Sequence, residues 1–457
     1  MTNLPEWIDP SLSILSTPDI PVTPSQQEFL TIYFSQLEQN VTSFVNNPST
    51  INKQNLAHLL SDMYYFLLNN FPYTSVSYAL YLILDLYTVL TNNSPPTYTN
   101  FQIGQMLQAL FSALAVFVSQ LILTDAPRNQ LYTNLANSVT ITGTIISSSG
   151  GGTTPTNVAY IVDGDGNNAV TVINLEYAGF LATISNPLNP YDIARDPVAN
   201  RLYTSNRLNP GSVSIINGST FELIATVAVG INPEGIAVNP ATNTVYVANF
   251  DSTLVSVISG VTNSVTATVE VGNNPTDVAV NSTTNRIYVS NFNSNSISVI
   301  DGTNNSVVGS PLTGGSNPRG LAVLPSLNRL YVTNISSNTV SVMDTTNETP
   351  TLISTITVGG APFAVAVNPT TNRVYVANQD GRVSVLNANT PSAPPIATVT
   401  VGALPQGISV NTALNRIYVS DHDANAVSII NGTLNRVVAT ITNLLAPRGI
   451  AIKEPGL

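Results

Sequence analysis

Apolar residues follow two different rhythms along this chain. From Thr23 to about residue 124 they recur every three or four positions, and from about residue 158 they alternate or cluster in short runs between Asn, Pro, Gly and Asp. The first rhythm places apolar side chains on one stripe of a helix, the second on one face of a strand. Thr23-Pro24-Ser25-Gln26 supplies an N-cap, a proline at the first helical position and a glutamine to close a capping box, so a helix is expected over about Ser25–Asn46. Three further helical runs are expected near 51–70, 74–91 and 99–124, separated by Asn47-Pro48, Phe71-Pro72 and Asn93-Ser94-Pro95-Pro96. Short connections between long amphipathic segments predict an antiparallel bundle over residues 25–137, preceded by an extended, proline-punctuated arm at 1–24. Residues 138–157, with Ser147-Ser148-Ser149-Gly150-Gly151-Gly152, read as a flexible linker.

The strand-like part is one unit copied seven times. Tyr-Val-x-Asn recurs at Tyr246, Tyr288, Tyr331 and Tyr375, with looser copies at Tyr160, Tyr203 and Tyr418, and successive tyrosines lie 43, 43, 42, 43, 44 and 43 residues apart. Repeats of this length, built of strands, bury their apolar faces only by stacking on neighbours, which is how a β-propeller is made. The unit at 231–273 reads as a short inner strand at Gly235–Val238, a second at Val245–Ala248, a third at Leu254–Ile258 and an outer strand at Val265–Val271. Val158–Val162 starts at a second strand with no inner strand before it, whereas the chain closes on Arg448–Ile452, an inner strand with no blade after it. The tail is therefore expected to complete the first blade and close a ring of seven, removing open sheet edges. The fold class is multidomain: a helical bundle followed by an all-β, seven-bladed propeller over 158–457.

The Tyr-Val-x-Asn units resemble YVTN-type β-propeller repeats, over about residues 157–454. That resemblance implies a microbial surface-layer protein or another surface or secreted protein; it carries no activity, because propellers host unrelated functions. Residues 1–150 resemble no family.

Composition narrows the function classes. Only 9% of residues are charged, against about 25% in an average protein, and Asn, Thr and Ser are expected at the surface instead. Residues 1–150 hold 8 acids and 2 bases, and residues 151–457 hold 17 and 12, so neither part has the basic stripe that binds nucleic acid or anionic lipid. There is no cysteine, which excludes disulfides, thiolate catalysis and Cys-ligated metal. His58 and His422 are the two histidines, and they fall in different domains, which argues against histidine-dependent catalysis. No ordinary signal peptide is visible at the start, yet the Asn/Thr-rich surface favours an extracellular, cell-surface or spore-surface location; the alternative is cytoplasmic. Ile103–Leu123 is uncharged and nearly long enough to span a bilayer, but its glutamines and serines favour a buried bundle helix or an interface between copies.

Two candidate sites follow from the repeat. Each blade enters its inner strand through a proline followed by one variable residue: Tyr191, Glu234, Thr276, Arg319, Phe363, Gln406 and Arg448. In a propeller this position rings one mouth of the central channel, so seven different side chains on equivalent backbone form a candidate ligand rim, the alternative being ordinary variation at a solvated edge. Asp163, Asp165 and Asn167 alternate as in the opening of a calcium loop, without the bidentate Glu at the twelfth place. Asp421 and Asp423 occupy the same turn in the seventh blade, which closure makes adjacent, so a shared Ca²⁺ is the cofactor these residues allow; a plain hairpin turn is the simpler reading. No other cofactor is expected. The Arg that leads five of the seven tyrosine strands (Arg201, Arg286, Arg329, Arg373, Arg416) reads as turn-stabilising.

The first functional expectation is a non-enzymatic surface protein whose helical domain anchors or self-assembles and whose propeller is displayed to bind or shield, with other copies, surface proteins or glycans as partners. The second is a propeller that binds a small molecule, glycan or peptide at the channel rim, with catalysis there as a variant of the same reading.

Overall fold

The computed structural model describes residues 20–91, 100–123, 125–148, 157–164, 168–175, 179–185, 188–313, 315–442 and 444–454, and the chain divides into a helical unit and a propeller. In the helical unit α1 (Pro24–Asn46), α2 (Thr50–Asn70), α3 (Tyr73–Thr91), α4 (Asn100–Gln120) and α5 (Asp125–Ser148) pack each against the next, and α5 returns against α1. The capping box forms as expected: Thr23 Oγ1 accepts from the Gln26 backbone N at 3.2 Å while Thr23 N donates to Gln26 Oε1 at 2.9 Å. Leu30, Phe34, Leu37, Val41 and Phe44 form the buried stripe of α1.

Residues 138–148, expected as the start of a linker, are instead the last turns of α5. The Ser/Thr/Ile-rich run there has weak helical propensity, but Leu131, Leu135 and Ser138 of the same helix are buried, and packing against two helices outweighs local preference. Residues 149–156 of the expected linker, the arm at 1–19 and the connection at 92–99 fall outside the described residues. No helix among the described residues is long and apolar enough to cross a membrane. Ile103, Leu107, Leu110, Phe111, Leu114 and Phe117 of α4 are buried.

The second unit is a seven-bladed propeller. Each blade is an antiparallel sheet whose inner-to-outer order follows the chain, as in Pro233–Asn239, Thr244–Asn249, Leu254–Ser259 and Ser264–Glu270. Blade one is the exception: the C-terminal strand Pro447–Lys453 pairs with Val158–Asp163, with Tyr160 opposite Ala451, and closes the ring. The blades stack face to face through apolar clusters, in which Tyr246, Val255, Val257 and Val269 of one blade meet Val278, Ile287, Val289 and Ile300 of the next. All seven repeat tyrosines are buried in these layers.

The repeat asparagine explains the rest of the motif. Asn249, buried at the end of its strand, donates to Ser256 Oγ at 3.0 Å and to the Leu254 carbonyl at 2.9 Å, and Asn206, Asn291, Asn334 and Asn378 make equivalent bonds to hydroxyls of their third strands. A second set of asparagines serves the backbone. Among the described residues, 17 of the 21 non-glycine residues with positive φ are Asn, from Asn168 to Asn435. The Asn-rich composition is therefore a requirement of left-handed turn positions and buried strand ends as well as of the surface.

Candidate functional site: the axial mouth

The mouth is built by a feature repeated in every blade. The residue before each entry proline has positive φ (Asn189, Asn232, Asn274, Asn317, Ala361, Leu404, Ala446), and its carbonyl accepts from the first residue of the neighbouring turn, as in Phe250 N to Asn232 O at 3.0 Å. The ladder then slips just after the proline in all seven inner strands, so the variable residue sits in a β-bulge. Bulges re-aim side chains. Here they bring Tyr191, Glu234, Thr276, Arg319, Phe363, Gln406 and Arg448 to one axial cavity of about 140 Å³.

Arg319 organises this cavity. Its Nη2 donates to Tyr191 Oη at 2.7 Å and to Glu234 Oε2 at 3.1 Å, while its Cζ lies 3.8 Å from the centroid of the Phe363 ring. Glu234, with 3% of its side chain exposed, also takes Arg207 Nη2 at 3.1 Å on its other oxygen. Arg207 and Arg448 lie over the Tyr191 ring at 4.7 and 5.1 Å from its centroid. Cation–π contacts, and the Glu234 carboxylate shared by Arg207 and Arg319, hold three guanidinium groups together where they would otherwise repel. Burial pushes the Tyr191 hydroxyl above its ordinary value, an effect that Arg319 opposes. Thr276 is turned into the wall, with Oγ1 2.9 Å from Ser290 Oγ, and Gln406 lines the cavity.

One residue further along the strand, Asp192 and Asp277 also line the cavity. Asp277 accepts from Val278 N at 2.7 Å and Leu321 N at 2.8 Å, and Asp192 from Ile236 N at 3.4 Å, so each carboxylate ties its blade to the next. Burial, and then the charge of Asp277, raise Asp192 to about 7; burial raises Asp277 to about 6 against the pull of its two N–H donors and Arg319. These two acids and Arg207 were not singled out in the sequence. Their signal is the position itself, since the other blades carry Gly235, Gly320, Ala364, Gly407 and Gly449 where Asp192 and Asp277 stand.

The described residues of the calcium expectation are Asp163, Asp421 and Asp423. Asp163 and Asp421 hold the repeat-asparagine position and are buried; Asp163 accepts from Thr171 Oγ1, and Asp421 accepts from Ser428 Oγ at 2.5 Å. Asp423 is exposed and its Oδ1 lies 2.7 Å from His422 Nδ1. Asp165 and Asn167 lie outside the described residues. No group of three His, Cys, Asp or Glu suited to a metal ion occurs among the described residues. The strand-leading arginines clip turns and neighbouring blades: Arg201 Nη1 donates to the Gly260 carbonyl and to Asn263 Oδ1, and Arg286 pairs with Asp301 and Glu348.

Known structures share this architecture. A functionally unknown protein from Desulfotomaculum acetoxidans matches with a TM-score of 0.59 at 15% identity, over 65% of this chain and 99% of its own. The periplasmic gluconolactonase of Pseudomonas aeruginosa matches with a TM-score of 0.57 at 13% identity, over 65% and 99%, and a Lactobacillus plantarum protein with 0.56 at 16%, over 65% and 100%. At such identities the likeness is one of fold alone. Among curated proteins, none matches the chain. The model of one family, however, matches residues 149–416, more than half of the chain and most of the repeat array. With its seven blades closed by the C-terminal strand, this chain belongs to the YNCE-like beta-propeller family.

Proposed function

We propose that this is a non-enzymatic surface protein whose propeller is a binding module acting through its axial mouth, and whose helical unit anchors the molecule or joins it to further copies. The carrying observation is the rim: equivalent bulge positions in seven blades deliver a tyrosine, a phenylalanine, two arginines and a buried glutamate to one small cavity. Concave sites with a few convergent polar groups on an apolar lining are where proteins take small ligands. The low charge and the YVTN-like repeats favour display outside the cell.

Screening the full chain against a metabolite and glycan library, then repeating the screen with Arg319, Glu234 and Arg448 replaced together by Gln, tests this reading. Rim-dependent ligands are expected; ligands indifferent to the triple substitution count against it. Surface labelling of intact cells, with a cytosolic protein as control, tests the location.

A catalytic reading has one observation in its favour. Asp192 and Asp277 place carboxyl groups with raised proton affinity beneath the rim, as a general base requires, and a gluconolactonase shares the fold. Acid release from glucono-δ-lactone, followed with the wild type and with Asp192→Asn, separates the two: binding alone predicts the same uncatalysed rate for both.

A further inference from the structure

The polar groups of the mouth are unevenly matched. Arg319 has five N–H donors; Nη2 serves Tyr191 and Glu234, and among the described residues no acceptor meets Nη1 or Nε. Its side chain is nevertheless only 14% exposed, stacked on Phe363 and lining the cavity. A guanidinium so enclosed, with donors open to a cavity of about 140 Å³, lacks an acceptor that a ligand oxygen would supply. Charge points the same way. Arg207, Arg319 and Arg448 face the acids Glu234, Asp192 and Asp277, and the last two resist ionisation because they are buried side by side with other acids. Below about pH 7 the mouth therefore carries surplus positive charge in a chain whose net charge is −11.

Resting on the reading of the mouth as a binding site, we propose that the axial cavity takes a small monocarboxylate, its carboxylate accepting from the open donors of Arg319 and its carbon chain lying along Phe363 and Tyr191. The cavity has room for about five water molecules' worth of ligand. Above neutral pH, where phosphate is chiefly a dianion, it would add a second charge facing three acids, so one negative charge suits the site best. Protonating Asp192 and Asp277 removes the nearest opposing charges, while Glu234 stays engaged by Arg207 and Arg319. Affinity therefore rises as pH falls through the range where those two acids titrate.

Lactate and lactamide form a matched pair of probes, equal in size and differing in charge. Calorimetric titration of the full chain at constant ionic strength should show saturable lactate binding, at least about tenfold tighter than lactamide and than inorganic phosphate. Affinity should fall several-fold between about pH 5.5 and 8. Arg319→Gln should remove the preference for lactate, and Arg448→Gln, which leaves the Arg319–Glu234 pair in place, should weaken lactate binding several-fold. Equal binding of lactate and lactamide, tighter binding of phosphate, a flat pH profile, or no lactate binding at all would each overturn the assignment. If library ligands prove neutral yet rim-dependent, the binding function stands and this inference alone fails.

Discussion

At the scale of single residues the molecule is governed by backbone conformation and by burial of amides and carboxylates. Leu404 occupies a positive-φ position, at φ 51°, where four other blades place Asn. Asn274 and Asn317 not only tolerate this conformation but donate from Nδ2 to the carbonyls of Phe250 and Phe292 in the preceding blade. In the left-handed region a leucine bears the full β-carbon cost of about 1–2 kcal/mol, whereas asparagine offsets part of it by local hydrogen bonding of its short side chain. Leu404→Asn should therefore stabilise the protein by about 1 kcal/mol, read from chemical denaturation. Asp421 is an acid at the buried repeat-asparagine position, and burial raises it to about 6. A raised folded value means that the ionised form is penalised: the cost is absent below the unfolded value near 4 and complete above about 6. Asp421→Asn should accordingly stabilise by about 1–2 kcal/mol at pH 8 and by almost nothing at pH 4. Denaturation curves at the two pH values decide it.

At the scale of elements the inner strands set what the channel can hold. They approach so closely that a β-carbon on Gly407 would lie 2.1 Å from the Arg448 carbonyl oxygen, and one on Gly449 would lie 2.3 Å from Asp192 Oδ1. Since the Arg448 obstacle is backbone, Gly407→Ala must shift two blades against each other. A loss of about 2–4 kcal/mol is expected, and thermal melting of the purified variant would measure it. The same crowding explains why an acid in one blade faces glycine in its neighbour. Asp192 and Asp277 take space that Gly449 and Gly235 leave free, and in return bind the amides of Ile236 and Leu321. In α5 tertiary packing supports the helix: Leu131, Leu135 and Ser138 are buried in the element that packs on α1 and α4.

For the whole molecule, closure is the decisive event. The pairing of Pro447–Lys453 with Val158–Asp163 joins the two ends of the repeat array, and no blade has a complete core without its neighbours. Truncation after Ala446 should abolish the single cooperative melting transition and leave aggregated protein on gel filtration, because the edge of Val158–Asp163 is then unpaired. Adding a peptide with the sequence of residues 447–454 should restore part of the transition. Global stability should also respond to pH. Asp192, Asp277 and Asp421, raised to about 7, 6 and 6, hold protons in the folded chain that the unfolded chain has released. Stability should therefore fall as pH rises from about 4 to 7 and level off above. The half-buried Asp301 and Asp344, lowered by bonds to Thr303 and Thr346, act in the opposite sense only at more acid pH. Asp192→Asn should flatten the upper part of this decline by about 1 kcal/mol, measured as the change in denaturation midpoint between pH 6 and 8.

Much of this architecture is legible in the residues alone. Seven tyrosines at near-constant spacing determine the number of blades, because strand alternation and turn residues are local and repeat in phase. The unpaired second strand at Val158 and the surplus inner strand at Ile450 determine how the ring closes, and the entry prolines mark the seven rim positions. What the sequence leaves open is whatever depends on distances between blades. Arg207, two turns from the nearest rim residue in the chain pattern, joins Glu234 only because the bulges and stacking bring neighbouring blades together. Asp192 and Asp277 acquire their raised proton affinity only inside a narrow channel, since desolvation and mutual charge act through space and not along the chain. The helix at 125–148 was likewise decided by its neighbours. Local pattern specifies elements and their number; the pairing of charges, the environment of acids and the fate of weak helices are set by packing, which no single segment contains.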